Sequence, residues 1–425
     1  MLNAATVPRS PSFSVANQHA LATILEASQT KSIIASRDIF DISGIKLWAR
    51  DQPVSSALQR RLLDRQLRNP LESCLLAEDG VTAHTLVRAF EEQLERGGPL
   101  AALVRPHAGR ILKEAAHLPL HSVPQLLLTA SQASRPEAFD HAVQAMALCG
   151  AMMDAHGGGV AELRMALLCG LLHDLGEMYI DPRHGEADAD RELDFVSYQQ
   201  LVVHPHVGHL LIAQLTNYPG ALSRAIAEHH ERLDGSGYPH GLQRDEVSAL
   251  GRMLAVAEVT LATLRHAERP QLARASVALR AVPGEFDLNW AQVVEAAARA
   301  EVPCRANLGT ADVQARLGRL DGALRMAEEC VAALTPQAES PALKGAVALG
   351  QHLLSRLRIG WNASGLWSAQ ALSARDAAEV EAIEEELVFR LRAIERAALL
   401  RAGELAPGDA ARLGTLCESL RAVSV

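Results

Sequence analysis

Side chains able to hold a divalent cation gather in the middle of this chain. Ten of its 17 histidines lie between His141 and His240, a window of 100 residues out of 425. A lone buried histidine is usually a hydrogen-bonded core residue; a concentration of them points to metal ligation. His173-Asp174 follows the apolar run Ala166–Leu172. Neighbouring helical positions point roughly 100° apart, so such a pair grips one ion only near its bisector. Glu137 and His141 are four apart and share one helical face. His204 opens the stretch HPHVG, and His229 and His230 adjoin in EHHERLDGSGYPHG. On a helix these two diverge, which lets them serve two different ions. Glu258 sits in the apolar stretch AVAEVTLATL. A carboxylate buried there is costly unless a cation compensates it, while a solvent-facing Glu on an amphipathic helix is the plainer alternative.

The elements that must carry these groups are helical. Apolar residues make up 48% of the chain and aromatic residues 4%. Ala, Leu, Arg and Glu are abundant, and unbranched side chains of this kind lose little rotamer freedom in a helix. The first 17 residues are rich in Ser, Pro and Asn and read as a mobile start. Residues 18–110 read as a small α+β or helical lead domain, with a hairpin across Ser32–Trp48 turning at Asp41–Gly44 and helices near Val54–Arg68 and Ala83–Glu95. Residues 111–300 show helical patterns broken by Gly and Pro and hold nearly all the reactive groups. Residues 301–425 read as a C-terminal helical domain. Within it, Ala311–Leu334 predicts a helical hairpin turning at Gly318. Val380, Ile383, Leu387, Leu391, Ile394 and Ala398 recur at steps of three and four, placing one apolar face against its own core or against a second copy or signalling partner.

At the level of motifs the segment 110–300 resembles the HD-GYP group of the HD phosphohydrolases, bacterial enzymes that hydrolyse cyclic di-GMP. The resemblance rests on His173-Asp174 with Leu175-Gly176, on His204 with Gly208, on the block from His229 to Leu242, and on Arg252 through Glu258. It implies an all-helical bundle and a centre of two or three iron or manganese ions. Glu137, His141, His173, Asp174, His204, His229, His230 and Glu258 fall on the ligand positions, with His173 and Asp174 carrying the catalytic role. It further implies a cyclic-dinucleotide substrate, with Asp234, Gly235, Gly237, Tyr238 and Pro239 in a signature loop that shapes the pocket. Arg232 and Arg269 are candidates to clamp a phosphate or stack on a base.

Three departures from the family pattern stand out. Glu177 occupies a place usually held by Lys, exchanging attraction for a substrate phosphate for repulsion. Glu258 stands where Asp is usual, and Arg269-Pro270 is followed by Gln271. A second reading therefore accompanies the hydrolase: a signalling module that binds metal or a partner without turnover.

Other classes find little support. The net charge of −9 disfavours duplex nucleic acid as a partner. Six scattered cysteines without a CxxC pair read as core residues in a reducing compartment. No signal peptide or membrane-length apolar run is visible, so a cytoplasmic location is expected. No GxSxG elbow or Walker-type loop is present.

Overall fold

A computed structural model describes residues 13–184, 199–266, 270–301, 310–364, 382, 383, 386, 390, 405–409 and 411–414. These form two compact units. The first is drawn from Met1–Leu193, Gln200–His230 and Ser248–Glu258; the second from Asp194–Gln199, Glu231–Val247 and Val259–Val425.

The first unit begins with α1 (Gln18–Ala27), capped by the Asn17 side chain, which accepts from the amides of His19 and Ala20. Short strands follow: β1 (Ile33–Ala35), β2 (Ile39–Phe40), β3 (Lys46–Trp48) and, after α2 (Ser56–Leu62), β4 (Leu75–Ala77). The expected hairpin is present only as β2 with β3. Strand β1 pairs antiparallel with β4 instead, through Ile34 opposite Leu76. That partner lies some 40 residues away, beyond the reach of local turn chemistry.

Helices α3 (Ala83–Arg96), α4 (Pro99–Val104), α5 (Ala108–Ala115) and α6 (Ser122–Ser134) lead into the centre of the unit, α7 (Pro136–Ala155) and α8 (Val160–Leu172). Every residue from Ala166 to Leu172 is buried. A helix apolar on all sides has no face to give to water and takes the middle of the core. Gly170 lets α8 approach α7 closely, since a Cβ there would lie 2.3 Å from the Ala145 carbonyl oxygen. Each fully buried Leu of this helix contributes about 1.5–3 kcal/mol. The unit is completed by α9 (His204–Leu215), α10 (Gly220–Glu228) and the first half of α11 (Ala249–His266).

The lead segment is fastened to the turn after α8 by polar contacts. Tyr179 donates to the buried Glu72 carboxylate at 2.5 Å, and Asn17 donates from Nδ2 to the Tyr179 carbonyl at 3.1 Å. Arg135 donates to Thr23 Oγ1 at 3.0 Å.

The second unit contains α12 (Leu272–Arg280), α13 (Leu288–Ala300), α14 (Thr310–Leu334) and α15 (Pro341–Ser364). The turn expected at Gly318 does not occur: α14 runs unbroken for 25 residues. Glycine inside a helix costs only about 1 kcal/mol, and the stripe Leu317, Leu320, Leu324, Ala327, Val331 and Leu334 outweighs it by packing with Leu343, Leu354, Leu357 and Trp361. Of the apolar series from Val380 to Ala398, Ile383 is described and packs partly buried against this cluster; the other members lie outside the described residues. No helix among the described residues is long and apolar enough to cross a membrane.

Candidate metal centre

Helix ends in the first unit bring the chelating groups together. His173 caps the C-terminus of α8, and Asp174 follows it into a 3-10 turn, Leu175–Tyr179. His229 caps the C-terminus of α10, with His230 next in the chain. His204 begins α9. His141 comes from the second turn of α7 and Glu258 from the middle of α11. The partial negative charge at a helix C-terminus favours a cation, and here two such ends, with His173 and His229 as their caps, accompany two carboxylates.

Gly176 permits the close fit of the turn on α9. A Cβ at this position would lie 2.0 Å from the His204 carbonyl oxygen and 2.8 Å from the Gly208 amide nitrogen. The glycine thus fixes how near Asp174 comes to His204.

Two sets of ligand atoms result, each with its members within 4.8 Å of one another: Asp174, His204, His229 and His230, and His141, His173, Asp174 and Glu258. Asp174 belongs to both. Its Oδ1 lies 3.4 Å from His204 Nε2 and 3.3 Å from His229 Nε2, while its Oδ2 lies 3.0 Å from His173 Nε2 and 3.3 Å from His141 Nε2. Glu258 Oε1 is 2.8 Å from His173 Nε2 and 3.3 Å from His141 Nε2. His173, His204 and His229 are fully buried, and His230 and Glu258 nearly so.

The imidazoles are oriented from behind. The Nδ1 atoms of His173, His204 and His229 lie 2.7, 2.7 and 2.6 Å from the carbonyl oxygens of Gly170, Leu201 and Ile226, three residues earlier in each case. A carbonyl only accepts, so each Nδ1 carries a proton and donates, which turns Nε2 inward as the atom that would meet a cation. His204 Nε2 and His229 Nε2 then face each other at 3.1 Å. The buried His173 Nε2, Asp174 Oδ1 and Glu258 Oε1 make no hydrogen bond of sound geometry despite their crowding. Lone pairs converging in this way fit divalent cations, and the imidazole–carboxylate donor set suits one or two of them.

The titration behaviour agrees. Burial alone would depress His141, but the carboxylates of Glu258 and Asp174 outweigh it and raise its pKa to about 9. His173 is likewise held well above the ordinary range by Asp174 and Glu258, against its burial. Burial and the neighbouring His230 push His229 down to about 3. Protons on one side of the cluster thus stand where cationic charge is wanted.

Other candidate residues fall elsewhere. Glu137, one turn before His141, is exposed and belongs to neither set. His229 and His230 do not divide between two sets: α10 ends at Glu228, the helical divergence no longer applies, and both join the same set with ring centroids 4.1 Å apart. The signature loop belongs to the second unit. There it wraps the Glu231 carboxylate, which accepts from the amides of His240 at 2.7 Å and Leu242 at 2.9 Å. Asp234 Oδ1 accepts from the amide and hydroxyl of Ser236, Gly235 and Gly241 have positive φ, and the bond from Tyr238 to Pro239 is cis; Gly237 lies within the same loop. Arg232 stacks on Phe286 with its guanidinium 5.0 Å from the ring centroid. Arg269 lies outside the described residues.

Glu177 sits in the turn after Asp174, its amide donating to the Asp174 carbonyl at 2.9 Å. Its charge is offset by the partly buried Arg135, which also donates to the Glu177 carbonyl at 3.4 Å. Sequence reasoning passed over Arg135, as it did the three carbonyls behind the histidines. The one hint was the placing of His173 directly after an apolar helix.

Comparison with known proteins agrees with this geometry. A family profile described as HD domain matches residues 127–283. Residues 127–283 thus match the HD-domain family, and the central segment is similar to cyclic-dinucleotide phosphodiesterases. It is 35% identical over 98 residues to a cyclic di-GMP phosphodiesterase of Pseudomonas aeruginosa, covering 23% of each chain. It is 32% identical over 100 residues to the 3'3'-cGAMP-specific phosphodiesterase 3 of Vibrio cholerae, covering 24% of this chain and 21% of that one. A cyclic di-GMP phosphodiesterase response regulator of Xanthomonas campestris is 31% identical over 117 residues, 26% of this chain and 29% of its own. The matches span less than a third of each of these relatives.

Proposed function

We propose that this chain is a metal-dependent phosphodiesterase that opens a cyclic dinucleotide, with cyclic di-GMP as its substrate. The observation that carries the reading is the pair of ligand sets sharing Asp174, with imidazoles locked so that their Nε2 atoms face inward. The donor set holds no thiolate, which favours iron or manganese. Two ions follow from the two sets; a third would need a further ligand such as Glu137. Relatives named for cyclic di-GMP and for 3'3'-cGAMP support a cyclic dinucleotide as the substrate class.

Bound divalent ions supply Lewis acidity, lowering the pKa of a water molecule and neutralising charge on phosphoryl oxygens. The chain's own contribution is positional. Asp174 would serve as a ligand in both sets, with Oδ1 turned to one and Oδ2 to the other. The Gly170, Leu201 and Ile226 carbonyls keep the Nδ1 protons of His173, His204 and His229 in place, so no ligand has to turn over during reaction. The signature loop, with Asp234, Gly235, Gly237, Tyr238 and Pro239, and Arg232 and Arg269 are the groups that would recognise the dinucleotide. Arg135 offsets part of the Glu177 charge that would repel an anionic substrate.

Glu177 also favours the second reading, a module that binds metal without turnover. One assay separates the two. Protein loaded with Fe(II) or Mn(II) is offered cyclic di-GMP and 3'3'-cGAMP, and products are resolved by chromatography. Linear dinucleotide or mononucleotide formed by the native chain and lost in Asp174→Ala is expected. Full metal occupancy with no turnover of either compound would establish the second reading, and failure to bind metal would defeat both.

A further inference from the structure

A buried charge cluster in the second unit lies outside the metal centre. Glu285 is 2% exposed. Its Oε1 lies 2.6 Å from Arg390 Nη1 and 3.7 Å from Arg232 Nε. The Phe286 ring lies beneath both guanidinium groups, with centroid distances of 5.0 Å to Arg232 and 5.7 Å to Arg390. The Glu285 carbonyl accepts from the amide of Leu233 at 2.9 Å, and the Leu233 carbonyl accepts from the amide of Arg244 at 3.0 Å. Arg390 is bound further by Glu386 at 2.8 Å. Nearby, His352 lies 3.1 Å from the Asp234 carbonyl and donates to it through Nε2.

These contacts join two parts of the chain. Arg232, Leu233 and Asp234 follow His230 within four residues, whereas His352, Glu386 and Arg390 come from the C-terminal helical segment. A buried ion network is a poor way to gain stability, because desolvation offsets most of the attraction. Its strength is directional: a carboxylate shared by two guanidinium groups that also pack on one aromatic ring admits few arrangements. Fixing the Arg232 side chain and the Leu233 amide together restrains the backbone that directly follows His230 in the chain.

We propose that Glu285 is a positioning residue: it clamps the start of the signature loop to the C-terminal segment through Arg390, so that docking of that segment sets the placement of His230. The inference rests on the metal-centre reading for its effect on ion binding, but not on phosphodiester hydrolysis. It gives residues 310–414 a role in tuning the site rather than acting as a passive appendage.

The test uses the full chain and Mn(II) as probe, with Arg390→Met to remove the charge at similar volume and His352→Ala as an exposed variant that leaves the core intact. Free Mn(II) is followed by electron paramagnetic resonance and amide exchange by mass spectrometry. In both variants, affinity at the site holding His230 should fall about tenfold, the usual scale for groups that orient a ligand from behind, with the other site unchanged. Exchange at residues 231–247 should quicken, and Arg390→Lys should restore part of both effects. A lowered melting temperature with unaltered affinity and loop exchange would show a merely structural network and overturn the proposal. If native protein takes up no Mn(II) or Fe(II) at all, the metal-centre reading itself falls, and this inference with it.

Discussion

At the scale of single residues, the centre is defined by which atoms carry protons. His141 holds its proton up to about pH 9 in the metal-free chain because Glu258 and Asp174 overcome its burial. An ion bound through Nε2 must expel that proton. His173 in the same set is held protonated as well, so Mn(II) affinity at that site should rise about a hundredfold for each pH unit between 6 and 8, two protons leaving per ion. Titrations at pH 6, 7 and 8 check this, and a pH-independent affinity would contradict it. Asp174 and Glu258 should separate in stoichiometry. Asp174→Asn removes a ligand from both sets, whereas Glu258→Gln weakens one. Metal analysis after dialysis should show loss of both ions in the first variant and of about one in the second.

Elements decide how those residues meet. The turn after α8 is pressed on α9 at Gly176, where a Cβ would meet the His204 carbonyl at 2.0 Å. Gly176→Ala should lower stability by about 2 kcal/mol or more, because backbone rather than a flexible side chain must move. Metal uptake should fall with it; a variant with native affinity and melting temperature would refute the packing argument. Tyr179→Phe probes the other side of the same turn by stranding the buried Glu72 carboxyl. The expected loss is about 1–3 kcal/mol, read by denaturant unfolding. Much at this scale was legible in the sequence. The continuous apolar run Ala166–Leu172 marks a central helix, and helices close to the expected positions appear at Ser56–Leu62 and Ala83–Arg96. The unbroken α14 was not legible, since Gly318 offers a local turn signal that a long leucine stripe overrides only once packed.

For the whole molecule, two compact units imply two responses to metal. All seven residues of the two ligand sets, Asp174 being common to both, belong to the first unit. An ion present at a hundred times its Kd stabilises the state that binds it by about 2.7 kcal/mol. Calorimetry with and without chelator should shift the transition of the first unit upward with metal and move that of the second little. Equal shifts in both would show that the units unfold together.

Residue type and order alone pointed to the seven residues of the two sets, together with Glu137, which belongs to neither. They also determined the helical class and the position of the HD dipeptide at the end of a core helix, because these depend on side-chain chemistry and on burial patterns within a few turns. Tertiary structure decided the grouping: that Asp174 serves both sets, that His229 and His230 share one, that β1 pairs with β4, and that Arg390 reaches Glu285. Such contacts close loops of tens to more than a hundred residues, so their selection rests on the packing of distant apolar faces, and no local pattern encodes it.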